Sequence, residues 1–202
     1  MSKCPSRGTR RCCALAVVAL ALSAPAAFAQ AQGKEVYNAT ASLKTEAGAT
    51  MTAPVVLTID RWTTDEDRDK VVLALKGGGT PAVQNLLASM PDTGSLRLGK
   101  IKTPVRFARS LPVAGGKVVT LVTAQPVFFV GAGLPGSKPV EKAGYNVAVV
   151  IFQVDADGKG DAGDLAPAAK VKLDDKSGFV VEDYGAEAVR LNGIAKASST
   201  TK

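Results

Sequence analysis

From residue 95 to residue 194 this sequence is a succession of short apolar runs separated by turn residues, and no helical period interrupts them. A chain patterned in this way hides its apolar side chains by pairing strands antiparallel, since parallel pairing needs a long crossover, usually a helix, between strands. Val105 and Phe107 alternate with Arg106, and residues 117–123 are rich in Val and Leu. Residues 127–130 form a short apolar run between Pro126 and Gly131. Residues 145–154 are almost continuously apolar, as expected of a strand covered on both faces. Asp155-Ala156-Asp157-Gly158 supplies a turn, and Ala169, Val171 and Leu173 then alternate with Lys170 and Lys172. A second turn at Asp174-Asp175-Lys176-Ser177-Gly178 precedes the runs 179–184 and 189–194.

Two further strands are expected upstream. Residues 34–44 place Tyr37, Ala39, Ala41 and Leu43 on one side and Asn38, Thr40 and Ser42 on the other. Val55, Leu57 and Ile59 then alternate with Thr58 and Asp60, with Trp62 near the strand's end. Beyond it the period changes. Thr63-Thr64-Asp65-Glu66 has the spacing of a capping box with Thr63 as cap, and Asp65, Glu66 and Asp67 lie at the positive end of the helix dipole. Val71, Val72 and Leu75 make an apolar stripe that ends at Gly77-Gly78-Gly79. Thr80 and Pro81 are suited to open a second helix, whose apolar face is Val83, Leu86, Leu87 and Met90 before Pro91 stops it. The expectation is a hairpin of two helices at 64–76 and 80–90. The fold class predicted is α+β: a mostly antiparallel sheet or barrel of about 8–10 strands, with the helical hairpin inserted after the second strand.

The first 29 residues read differently. A basic stretch containing Lys3, Arg7, Arg10 and Arg11 precedes an apolar run at 12–22, then Pro25 and the small-residue site Ala27-Phe28-Ala29. This is the pattern of a secretory signal peptide cleaved near Ala29, and the apolar run is shorter than the roughly 20 residues of a spanning helix. The domain organisation expected is a leader at 1–29, one globular domain at 30–194 and a Ser/Thr/Lys-rich flexible tail at 195–202. The expected location is the periplasm or the cell exterior. Cys4, Cys12 and Cys13 all fall in the leader and histidine is absent throughout, so the mature chain has no disulfide, thiolate or imidazole chemistry. The formal charge of +7 is also largely a property of the leader: its four basic residues leave 21 against 18 acids. So small a surplus, with aromatics at only 5%, argues against nucleic acid as a partner.

The segment Ile59-Asp60-Arg61-Trp62-Thr63-Thr64-Asp65-Glu66-Asp67-Arg68 resembles a stretch with the pattern RW[ST]TDE-R in a family of small secreted bacterial proteins of unknown function. The resemblance continues at Leu73-Ala74-Leu75-Lys76 and Leu86-Leu87, at Asp155-Ala156-Asp157-Gly158-Lys159-Gly160, at Glu182-Asp183-Tyr184-Gly185 and at Ala188-Val189-Arg190-Leu191. It covers under a third of the chain and departs between Gly131 and Gly144. It implies an exported protein of similar layout and attaches no activity to it.

Motifs for chemistry are weak. Gly131-Ala132-Gly133-Leu134-Pro135-Gly136 has dinucleotide-loop spacing, but Pro135 and Pro139 oppose the helix that such a loop must open. Asp155, Asp157 and Asp161 suggest a calcium loop, yet the fifth and twelfth positions are Lys159 and Ala166, so a hairpin turn is the better reading. Glu182 and Asp183 are adjacent on a strand and point to opposite faces, against acid–base pairing. Without histidine a Ser-His pair is impossible. No catalytic residue, metal or cofactor is expected. One basic concentration stands out: Arg97, Lys100, Lys102, Arg106 and Arg109, with no acid between them. The sequence therefore points first to a non-catalytic binding or interaction module, with an anionic envelope component as one possible partner. The alternative is a barrel-like carrier of a small apolar ligand, lined by Trp62, Phe107, Phe128, Phe129 and Phe152. A hydrolase using carboxylates alone ranks third.

Overall fold

The computed structural model describes residues 33–44, 50–127, 144–172, 179–185 and 187–197. The strands are β1 (Glu35–Lys44), β2 (Thr50–Ile59), β3 (Gly94–Leu98), β4 (Ile101–Val113), β5 (Gly116–Thr123), β6 (Val147–Asp155), β7 (Lys159–Lys172), β8 (Val180–Tyr184) and β9 (Val189–Lys196). One helical element, α1 (Asp65–Ser89), lies between β2 and β3. Every pairing is antiparallel. The order β6-β5-β4-β3-β2-β1-β9-β7 is closed by pairing of β6 with β7, giving an eight-stranded barrel, while β8 pairs with the far half of β7. Of the open sheet and the barrel, the chain adopts the barrel.

The wall of the barrel serves two cores. Inward-pointing residues from every barrel strand fill the lumen, among them Tyr37, Leu57, Leu96, Val105, Leu121, Phe152, Leu165 and Leu191. The outer face of β4–β7 carries a second core, in which Phe107, Val122, Val147, Val149, Ala166 and Ala169 pack with Val71, Val83 and Leu87 of α1. This explains the unbroken apolar run of β6: Ala148, Val150, Phe152 and Val154 face the lumen, while Val147 and Val149 lie in the second core. A register shift between Val105 and Phe107 separates two residues that simple alternation would place together. Val105 joins the lumen and Phe107 the outer core, edge-to-face with Phe179 at 5.1 Å.

The expected helical hairpin is corrected to a single helical element, interrupted where Gly79 takes φ 64° and ψ −158°. Only glycine adopts that conformation without strain. Thr80, expected to cap a second helix, instead docks the element on the barrel: its buried hydroxyl accepts the Val171 N–H at 3.1 Å. The cap at the other end is also one residue out. Thr64 is the N-cap and accepts from the Asp67 N–H at 3.2 Å. Thr63 is buried against β4, exchanging backbone and side-chain bonds with Ala108 at 2.8 and 2.9 Å. Arg61 then reaches across to the carbonyls of Pro91 and Asp92, so the excursion from the barrel leaves and returns at one place.

Other expectations shift less. Asp155–Gly158 forms the β6–β7 turn, with the Asp155 carboxylate accepting from Lys159 N–H at 2.8 Å. Val127 is buried outside any strand, its N–H donating to Pro167 O at 2.8 Å. The expected run 128–130, the glycine-rich motif at 131–136 and the turn at 174–178 lie outside the described residues. Order extends past the tail boundary expected at 195: β9 runs to Lys196, and Ala197 N–H donates to Val36 O at 2.7 Å.

The two threonines separate by experiment. Thr63→Val leaves the Ala108 N–H buried and unpaired, a loss of about 1–3 kcal/mol. Thr64→Ala removes only an exposed cap, about 1 kcal/mol. Urea unfolding is expected to rank Thr63→Val as the more damaging; the reverse order would restore Thr63 as the cap.

Candidate functional site

The basic concentration divides in two. Arg106 and Arg109 are neutralised at the two ends of the helical excursion: Arg106 pairs with Asp92, just beyond α1, at 2.8 Å and donates to the Met90 carbonyl, and Arg109 pairs with Asp65 at 3.2 Å. They fasten the two ends of the helical element to β4. Arg97, Lys100 and Lys102 are exposed, and none of them has an ion pair with the described residues. Arg97 and Lys102 stand directly opposite each other in the β3–β4 register, and Lys100 lies in the turn between them. Gly99, the other turn residue, ties the turn to β2 through its N–H and Pro54 O at 2.9 Å. Like charges opposed across a ladder destabilise a sheet by a few tenths to about 1 kcal/mol, and here the hairpin holds them in place.

The apolar candidates do not converge. Phe152 lies in the lumen edge-to-face with Tyr37, ring centroids 5.1 Å apart. Phe107 is on the other side of the wall. Trp62 is half-buried at one mouth of the barrel, with Lys117 Nζ 5.2 Å from its ring centroid. Phe128 and Phe129 lie outside the described residues. Phe107 and Phe152 therefore cannot line one pocket, since the wall of the barrel stands between them. The lumen side chains Tyr37, Leu57 and Phe152 are each at most 1% exposed. At Gly163 an added Cβ would come within 2.7 Å of the Phe152 Cβ.

The same mouth holds a charge cluster that sequence reading missed. Glu35 accepts from Lys117 Nζ at 2.8 Å, from Lys196 Nζ at 2.9 Å and from the Tyr37 hydroxyl at 2.8 Å. β1 and β5 are four strands apart in a ring of eight, so the Glu35–Lys117 pair spans the mouth from wall to opposite wall. Burial by itself pushes the Glu35 carboxyl up, but the hydrogen bonds from Lys117, Lys196 and Tyr37, with the charge of Lys117, outweigh it and hold the group below its ordinary value. Burial, with the adjacent Glu35 carboxylate, raises the Tyr37 hydroxyl so far that it stays a donor. The two lysine partners are 82 and 161 residues from Glu35, and local spacing carries no trace of them.

A groove of about 480 Å³ lies beside this mouth, with Gly115, Gln153, Asp155, Lys159 and Asp161 on its wall. Asp155 is occupied there by the turn, and among the described residues no three potential metal-binding side chains come together. No helix among the described residues is long and apolar enough to cross a membrane. The barrel has apolar residues within and Asn38, Thr40, Arg97 and Lys102 exposed outside, the reverse of a membrane-spanning barrel.

No protein-family model, curated protein or solved structure matches this chain. The candidate site accordingly rests on its own geometry: a cationic hairpin with no ion pair among the described residues, and a lumen lined by buried core side chains and pinned at one mouth.

A carboxylate held below its ordinary value stabilises the fold above that value, and the contribution is lost as pH falls through the folded one. Glu35→Gln is expected to lower stability by about 2 kcal/mol at pH 7. The deficit against wild type should shrink as pH falls below the ordinary carboxylate range and through the folded value, where wild type takes up the proton as well. A deficit unchanged with pH would show that the Glu35 charge is not what holds the mouth.

Proposed function

We propose that this chain is an exported, non-catalytic binding module that takes an anionic partner on the outer wall of its barrel, through Arg97, Lys100 and Lys102. The observation that carries this reading is the opposed pair Arg97 and Lys102, which has no acid beside it among the described residues. Folding gains nothing from that arrangement, whereas an anion bridging the two side chains would gain from both. The absence of histidine, and of cysteine beyond residue 13, supports a binding role over catalysis. Export rests on the leader pattern at 1–29.

A carrier of a small apolar ligand is the second reading. Barrels of eight strands can hold one small molecule, and that feature of the fold is present. It ranks second because side chains already meet within the lumen, Tyr37 with Phe152 and, from opposite walls at one mouth, Glu35 with Lys117.

Retention on a dextran sulfate column tests the first reading. The variant Arg97→Gln/Lys100→Gln/Lys102→Gln is expected to elute at distinctly lower salt than wild type. A control neutralised at Lys34, Lys70 and Lys159 should fall much closer to wild type. Equal shifts in the two variants would reduce the effect to net charge and remove the site.

A further inference from the structure

Resting on that reading, we propose that the anionic partner is a lipid surface, met by the end of the barrel at which β3 turns into β4. The reason is the residue between the two lysines. Ile101 is 44% exposed, one of only three large apolar side chains exposed among the described residues, and it sits between Lys100 and Lys102 at the start of β4. A dissolved polyanion offers the three cations a partner but gives Ile101 nothing. A bilayer interface offers both, with headgroup charge for the cations and the edge of the acyl region for the apolar side chain.

The neighbouring hairpin fits the same surface. β1 ends and β2 begins at the same end of the barrel as the β3–β4 turn, and the Gly99–Pro54 bond joins β2 to that turn directly. At that end Leu43 and Met51 face each other across β1 and β2, both only half-buried, and the exposed Lys44 follows. Apolar side chains at the rim are thus bordered by Lys44, Arg97, Lys100 and Lys102, whose long stems let the charged heads stay in the headgroup layer. Among the described residues the opposite mouth is mixed in charge: Lys117 and Lys196 are spent on Glu35, Lys34 pairs with Asp60, and Lys159 stands beside Asp155 and Asp161 on the groove wall.

Vesicle sedimentation tests this, with one set of vesicles of phosphatidylcholine alone and another containing one-third phosphatidylglycerol. Wild type is expected to sediment with the anionic vesicles and to stay in solution with the neutral ones. Removing Arg97, Lys100 and Lys102 together should weaken vesicle binding about 100-fold, at roughly fivefold per charge. Ile101→Ser should weaken it about tenfold while leaving elution from dextran sulfate unchanged. Because Ile101 is exposed, its variant should unfold at the wild-type temperature. If Ile101→Ser binds anionic vesicles as wild type does, or if wild type is held by dextran sulfate and ignores the vesicles, the lipid surface is wrong and the anion-binding hairpin stands. If wild type is held by neither, or binds neutral vesicles equally well, the underlying anion-binding reading fails.

Discussion

Closure of the sheet is the constraint on which the rest of this molecule depends. Once β6 pairs with β7, every inward residue of eight strands must fit inside one ring. The lumen is then narrow enough for Tyr37 to meet Phe152, and for Glu35 to meet Lys117 from the opposite wall. The interior is a core, and Gly163 marks how little room is left in it. Closure also leaves the outer face of β4–β7 apolar, and the helical element exists to cover it. Thr63, Thr80, Arg106 and Arg109 fix that cover at separate points along its length.

Three sets of charged residues on this barrel differ in their physics. Glu35, Lys117 and Lys196 form a part-buried cluster in which burial is opposed by several hydrogen bonds to one carboxylate. Arg106 and Arg109 are fasteners between helix and barrel, half-shielded and paired. Arg97, Lys100 and Lys102 belong to neither group. They make no ion pair among the described residues and stand together on one hairpin, and for that reason they carry the functional proposal.

Much of this was legible in the sequence, because strand alternation depends on neighbours in the chain. Tyr37, Ala39 and Ala41, and then Val55, Leu57 and Ile59, face the lumen as their spacing implies. The continuous run of β6 reads correctly as covered on both faces. The failures share one cause, which is that tertiary partners decided them. Thr63 and Thr80 look like caps until β4 and β7 claim their hydroxyls. The bulge at Arg106 turns Phe107 out of the lumen, a reversal that period-two reading cannot see. Five basic residues in one stretch look equivalent until Asp65 and Asp92, from the two ends of the helical excursion, remove two of them. The mouth cluster unites three strands, and nothing local pointed Glu35 to Lys117 or Lys196.

The central claim is that the barrel interior is occupied by its own side chains, so that binding has to take place on the outside. A crystal pressurised with xenon addresses this directly, since xenon enters dry apolar cavities that water leaves empty. The account predicts no xenon site within the ring formed by Tyr37, Leu57, Leu121 and Phe152. An ordered xenon atom there would reveal a usable lumen and turn the balance towards a carrier of small apolar molecules.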